Sequence, residues 1–155
     1  MNKFIGTKQL SARTCNRGDY CAYRGWTVPA DEDPTDAGFL VVYPDGYESW
    51  SPRKQFIEAY QPMNAMNFGH AIAMLKEGHA VARAGWNGKG MFLYLVPAPE
   101  QGYPAQTGVA KAFFGEGSLV PYGAYIAMKT ADGTVVPWLA SQTDVLADDW
   151  TLVEI

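Results

Sequence analysis

Aromatic and polar side chains are concentrated at predicted turns in the C-terminal half of the sequence. Trp86 and Asn87 lie in one glycine-rich segment, and Trp138 follows a second turn. Aromatic rings stack on nucleobases, amide and carboxylate groups bond base and ribose edges, and amide groups at a helix N-terminus accept phosphate. The combination suits a nucleotide-like ligand. The same region has three polar residues where a short helix is predicted to begin: Ser141, Gln142 and Asp144.

These residue types also fit a simpler interpretation. In it, Trp86 and Trp138 are hydrophobic plugs at the ends of hairpins, and Ser141 and Asp144 only cap a helix. Residue types alone do not separate the two interpretations, so both stay open at this point.

Groups suited to catalysis or metal binding are few. His70 and His79 lie beside neither a cysteine pair nor a carboxylate cluster, and Cys15 and Cys21 match neither a zinc-ligand spacing nor a disulfide framework. The glycine-rich segment lacks the Ser or Thr that follows the lysine of a phosphate-binding P-loop, since Gly90 follows Lys89. We therefore expect no catalytic residue, no bound metal and no cofactor.

Composition narrows the class of partner. The chain has 155 residues, 48% of them hydrophobic, and a formal net charge of −4 without a run of lysine or arginine. Binding to genomic nucleic acid is therefore not expected, because its affinity comes largely from cations that neutralise phosphates. No apolar stretch approaches the roughly 18 residues of a membrane span, and the N-terminus lacks the pattern of a secretion signal. We expect a cytoplasmic protein that does not bind membranes.

Two small modules are predicted, residues 1–62 and 66–155. The boundary falls where one helical pattern ends at Gln61-Pro62 and another begins after Met66. In the first module, a short helix is predicted within 16–25, followed by a hairpin of 38–43 and 47–50. Ser51 is predicted to cap the next helix, with Pro52 at its first position and with Phe56 and Tyr60 on one face.

The second module is predicted to begin with a helix over 67–77, which Gly78 ends. Strands follow at 79–83 and 91–96, joined through an Asn87-Gly88 turn, and a second hairpin of 125–129 and 134–136 turns at Asp132-Gly133. A short helix capped by Ser141 precedes a final strand over 150–155, whereas 97–123 has no sustained period and is interpreted as a functional or interface loop. The fold class is α+β, each module being an antiparallel sheet or hairpin packed with one or two short helices.

The second module resembles the phage Thoeris anti-defence sponge family of the second type. The resemblance extends from Met66 to Val153, and its motifs occur in order at specific spacings. The matching segments are Met66–Gly69, Ala82–Phe92, Met128–Gly133, Val136–Asp144 and Asp149-Trp150. In the first module, three segments are typical of a small domain: Ile5–Lys8, Tyr23–Trp26 and Tyr43–Pro52. Through them the module resembles a domain found in many phage proteins, and this second resemblance implies no particular activity.

The sponge resemblance implies a phage protein that binds and sequesters cyclic ADP-ribose isomers in the cytoplasm of the bacterial host, without cleaving them. These isomers are the signals that a bacterial TIR-domain enzyme makes to trigger abortive defence. Family members form homotetramers with ligand pockets at subunit contacts, and some also capture cyclic oligonucleotides.

Residue chemistry and the resemblance together suggest roles for seven residues. Trp86 and Trp138 would stack on or enclose the purine, and Arg83 would meet the pyrophosphate. Base or ribose edges would be bonded by four polar residues: Asn87, Ser141, Gln142 and Asp144. Two alternatives remain: a structural or interaction protein that uses the aromatic surfaces of the first module (Trp26, Trp50, Tyr60), and a nucleotide-processing enzyme with Asp144 or a histidine as base.

Overall fold

The computed structural model describes all residues from Met1 to Ile155 and has an α+β fold. The chain divides into two compact units, Met1–Gln61 and Pro62–Ile155. None of its helices combines the length and apolar character needed to cross a membrane. In chain order the elements are β1 (Ser11–Thr14), α1 (Arg17–Arg24), β2 (Gly38–Val42), β3 (Glu48–Pro52), α2 (Arg53–Ala59), α3 (Phe68–Lys76), β4 (Ala80–Arg83), β5 (Phe92–Val96), β6 (Tyr103–Pro104), α4 (Gly108–Phe114), β7 (Leu119–Val120), β8 (Tyr125–Lys129), β9 (Val135–Pro137), α5 (Gln142–Val145) and β10 (Trp150–Val153).

The first unit is a three-stranded antiparallel sheet in the order β1-β2-β3 with two short helices. Asn16 caps α1 by accepting a hydrogen bond from the Asp19 amide at 2.7 Å, which supports the predicted helix. The core is small. It comprises Cys15, Tyr20 and Leu40, with Trp50 packed against them.

The helix after the hairpin begins differently from the prediction. Ser51 does not cap it: the strand pairing of β3 continues through Ser51, opposite Phe39, and α2 follows Pro52 without a side-chain cap. The ladder thus holds Ser51 in the sheet, and the helix begins after the strand ends. Phe56 and Tyr60 lie on the same side, as predicted, with ring centroids 5.0 Å apart, and Phe56 also stacks on Phe39 at 4.1 Å.

The second unit contains a five-stranded antiparallel sheet in the order β10-β4-β5-β8-β9. Helix α3 packs against β4, β5 and β10. Asn67 caps α3 through the His70 amide at 2.9 Å, and Gly78 follows it with φ +91°, as predicted. The core is formed by Met66, Ala71, Met74, Leu75, Val81, Leu93 and Trp150.

Two connections of this sheet decide where the candidate site lies. In the β8–β9 turn, Gly133 has φ +92°, as predicted, and hydrogen bonds from Thr130 and Thr134 lower the pKa of Asp132 to about 2. The β4–β5 connection differs from the prediction, because Gly90 and not Gly88 has positive φ, at +69°. Gly88 lies against Met91 instead: a Cβ there would lie 1.8 Å from the sulfur, so the flexible Met91 side chain would have to move.

The segment interpreted from the sequence as a functional or interface loop has secondary structure of its own. It contains α4 and a two-stranded sheet of β6 and β7. The side chain of Thr107 caps α4 by accepting a hydrogen bond from the Ala110 amide at 3.2 Å. Short elements with mixed proline and glycine give no sustained period, so they are hard to recognise in the sequence.

Candidate ligand-binding site

Arg83 lies at the end of β4 and binds two carboxylates at once. Its Nε donates to Asp149 at 2.7 Å and its Nη1 donates to Asp144 at 2.9 Å. The hydrogen bonds that Arg83 donates to Asp149 and then to Asp144 raise its pKa, so the guanidinium stays charged. Because Asp144 belongs to α5 and Asp149 directly precedes β10, this one side chain ties both elements to the end of β4.

Asp144 is the centre of the network. Beside Arg83, it accepts hydrogen bonds from the Trp86 indole at 3.2 Å and from the Ser141 hydroxyl at 2.6 Å. Ser141 in turn caps α5 by accepting from the Asp144 amide at 3.1 Å, which completes a capping box. Burial opposes ionisation of Asp144, but the bonds from Ser141, Arg83 and Trp86 outweigh it and lower its pKa.

Asp149 holds the glycine-rich connection in place. It accepts from the Gly85 amide at 2.8 Å as well as from Arg83, and the Arg83 bond is the main cause of its lowered pKa. A Cβ at Gly85 would lie 2.8 Å from the Asp149 carboxylate, so this close approach requires glycine. The role of Asp149 was not predicted from residue chemistry. The available signal was its place in the Asp149-Trp150 motif.

Three tryptophans meet beside this network. Trp150 is fully buried, and its indole N–H donates to the Asp144 carbonyl oxygen at 3.0 Å. Trp86 and Trp138 each meet it edge-to-face, with ring centroids 5.5 and 6.1 Å away. Both are only partly buried, so each packs on the core and also reaches the surface. Their positions are thus compatible with a packing role and with contact to a ligand.

The remaining polar candidates are exposed. Asn87 follows Trp86 in the β4–β5 connection, and Gln142 is the first residue of α5. Neither amide side chain forms a hydrogen bond within the chain, so both are free to bond a ligand. Large apolar side chains nearby in sequence are also exposed, with Leu139 at 91% and Leu146 at 78%.

The structure therefore unites some of the predicted site residues more closely than others. Arg83, Trp86, Ser141 and Asp144 form one hydrogen-bonded network, and Trp138 joins it through Trp150. Asn87 and Gln142 adjoin members of the network in the chain but are not bonded to it. Of the two partly exposed rings, Trp86 is the one that this network holds by a hydrogen bond.

Comparison with known proteins matches the unit that carries this site. The family model of the Thoeris anti-defense 2-like domain matches residues 66–153. The chain is also 44% identical over 92 residues to Thoeris anti-defense 2 of Bacillus phage SP01, an alignment that covers 57% of this chain and 94% of that protein. On both grounds, the chain belongs to the Thoeris anti-defense 2-like family.

Proposed function

We propose that the second unit binds a small nucleotide signal of Thoeris defence, of the cyclic ADP-ribose type, and holds it without cleaving it in the cytoplasm of the bacterial host. The observation that carries the proposal is the clamping of a partly exposed tryptophan, Trp86, by the carboxylate of Asp144 in a chain of this family. A ring fixed before the ligand arrives loses little conformational entropy on binding.

Each site residue has a defined part in this proposal. The exposed portions of Trp86 and Trp138 contact the purine, while the free amides of Asn87 and Gln142 bond base or ribose edges. Ser141 also offers its exposed hydroxyl, although Asp144 uses that group within the network. Asp144 mainly positions Trp86 and α5, because its carboxylate already accepts bonds from three residues.

Arg83 serves to orient the bound ligand more than to attract it by charge. Asp144 and Asp149 offset its positive charge, but the guanidinium has five N–H donors and the aspartates do not use all of them. We propose that a pyrophosphate oxygen accepts one of the remaining N–H groups. The affinity should then depend only weakly on ionic strength, since long-range attraction to the site is small.

Storage is favoured over hydrolysis by the state of the ionisable groups. A general base works best with a pKa near the working pH, whereas hydrogen bonds hold the pKa of Asp144 below its usual value. His79 is about half exposed, and its Nε2 lies 4.0 Å from the Glu77 carboxylate, which is not part of the Asp144 network. Neither group has the surroundings of a catalytic base.

A homo-oligomer completes the proposal. The second unit exposes many large apolar side chains, including Val109 and Phe113 at 81% each and Val135 at 52%. Exposed apolar surface of this extent is typical of an interface between proteins. We propose that second units associate with one another, as a tetramer by resemblance to the family, and light scattering on the full chain measures the assembly.

Calorimetry on the full chain tests binding. The titrants are cyclic ADP-ribose isomers and, as a second class, cyclic di- and trinucleotides, each at micromolar concentration. We expect saturable binding of at least one cyclic ADP-ribose isomer. We also expect Trp86→Ala to weaken it by a factor of about 30, the effect of losing a central aromatic anchor. Trp26→Ala in the first unit is the matched control and should leave the affinity unchanged.

Two results would count against the proposal. One is a flat titration with every isomer while the protein is folded and assembled. The other is conversion of the ligand, seen when chromatography of the denatured complex returns a linear product instead of the cyclic starting material.

A further inference from the structure

A strip of five side chains runs across the first unit, and each member contacts the next. The Arg13 guanidinium lies 6.0 Å from the Tyr23 ring centroid, and the Tyr23 hydroxyl donates to the Glu48 carboxylate at 3.0 Å. Arg24 lies 3.6 Å from Glu48 and stacks over the Trp26 ring at 4.9 Å. The strip joins β1, α1 and β3. We call it the basic–aromatic strip: Arg13, Tyr23, Glu48, Arg24 and Trp26.

The end of α1 holds Trp26 in a fixed position. Gly25 adopts φ +69°, its amide bonds the Ala22 carbonyl at 3.1 Å, and the Trp26 amide bonds the Cys21 carbonyl at 2.8 Å. This pair of bonds is the Schellman motif that ends many helices. The Trp26 ring also meets the Tyr20 ring edge-on at 6.0 Å. Trp26 is therefore ordered by the backbone before any partner arrives.

The two aromatic rings of the strip are nevertheless half exposed, Tyr23 at 54% and Trp26 at 53%. The buried core of this unit is built from other residues, Cys15, Tyr20 and Leu40. Tryptophan, tyrosine and arginine are the residue types that dominate binding energy at protein interfaces. Rings that are held in place, half exposed and outside the buried cluster itself fit the role of anchors for a partner.

The charges of the strip indicate the chemistry of that partner. Arg24 is matched by Glu48, but Arg13 contacts only the Tyr23 ring and forms no ion pair. The strip therefore has one unmatched positive charge at one end and the Trp26 ring at the other. The phosphates of a nucleic acid would meet the carboxylate of Glu48 at the centre of the strip. Residues 1–64 also contain seven basic and eight acidic residues, so they offer no excess of positive charge, and a nucleic acid is disfavoured as the partner.

We propose that the basic–aromatic strip is a docking surface for a carboxylate-bearing segment of a partner protein. Arg13 binds an Asp or Glu side chain of that segment, and Tyr23 and Trp26 pack against its apolar side chains. The Tyr23–Glu48–Arg24 contacts hold the two rings apart at a fixed spacing, which sets the spacing of acidic and apolar positions in the segment. This interaction is independent of ligand binding by the second unit.

Selection from a displayed library of random decapeptides on the full-length chain tests the proposal. We expect the selected peptides to be enriched in Asp or Glu at a fixed distance from an aromatic or large aliphatic residue. Trp26→Ala should weaken binding of a selected peptide by about 30-fold or more. Arg13→Glu should move the selection from acidic to basic peptides, a change that a folding defect would not produce.

Tyr47→Ala is the matched control, because Tyr47 is 65% exposed and contacts Tyr43 outside the strip. It should leave peptide affinity unchanged, and circular dichroism of each variant verifies folding. Failure to enrich any sequence would overturn the proposal. So would enriched peptides that bind Trp26→Ala and Arg13→Glu as well as the parent chain, or a thymidylate oligonucleotide that binds the strip in their place.

Discussion

Both units of the chain bring an arginine and a tryptophan together, but by different means. In the first unit the Arg24 guanidinium stacks directly on the exposed Trp26 ring. In the second, Arg83 and Trp86 are linked through a third residue, because both donate hydrogen bonds to the carboxylate of Asp144. The first arrangement is a surface contact of two side chains. The second links β4, the β4–β5 connection and α5 to one another.

Stability depends on single side chains in the second unit more than in the first. Exposed ion pairs and cation–π contacts contribute little and are screened by salt. A partly buried carboxylate with several donors is different, because its removal leaves those donors unpaired. We therefore expect the second unit to be sensitive to its network residues and the first unit to tolerate changes in its strip.

The largest effect is expected for Asp144→Ala. The change leaves Arg83 and the Trp86 indole without one acceptor and removes the carboxylate half of the α5 capping box, although Ser141 still caps the helix. It should therefore cost about 2 kcal/mol of unfolding free energy. Urea denaturation measures the loss, and hydrogen exchange should show it in the amides of β4 and β10. Asp148→Ala, at an exposed neighbouring carboxylate, should stay within about 0.5 kcal/mol of the parent.

Gly85→Ala should have the next largest effect. A Cβ placed 2.8 Å from the Asp149 carboxylate forces the connection or the aspartate to move, at a cost of about 1 to 2 kcal/mol. The control is Gly123→Ala, where a Cβ would meet nothing within 4 Å and φ is not positive. Equal stability of the two variants would mean that the contact between Gly85 and Asp149 is not tightly held.

Acid should weaken the second unit by a smaller amount than either substitution. Asp144 and Asp149 have lowered pKa values in the folded chain. Their stabilising contribution is therefore complete above the unfolded value of about 3.9 and is lost as the pH falls below it. Urea denaturation between pH 6 and about 3 measures the slope, and Asp144→Asn should flatten it. An unchanged slope in that variant would contradict the network.

Arg24→Gln in the first unit should have the smallest effect. It removes one exposed ion pair and one cation–π contact, so we expect a loss of about 0.5 kcal/mol that shrinks in high salt. Arg53→Gln, at an exposed arginine of the same unit, is the matched control. A loss as large as that of Asp144→Ala would remove the contrast between the units.

Local chemistry made much of the fold predictable. Asp132-Gly133 marks a hairpin, while Asn67, Gly78 and Ser141 mark helix ends, and each acts within a few residues of its own position. Strand β1 was not predicted, because all four of its residues are exposed and it lacks an apolar alternation.

The site was predictable in its residue types but not in its connections. Arg83 and Asp149 are 66 positions apart, and only the pairing of β4 with β10 brings them together. The positioning role of Asp149 follows from this long-range contact, which no local spacing encodes. By contrast, the capping role of Ser141 and Asp144 depends on two residues only three positions apart. Such a short spacing can be recognised in the sequence, where it is one of the two interpretations of these residues.

Mass spectrometry can show directly whether the protein stores a signal molecule. The full-length protein is purified from cells with an active Thoeris system and denatured, and the released small molecules are identified. We predict an intact cyclic ADP-ribose-type molecule, retained by the parent chain and largely lost from Trp86→Ala. Protein that is folded and assembled but carries no such molecule, or that releases only its linear hydrolysis product, would rule out storage of the intact signal.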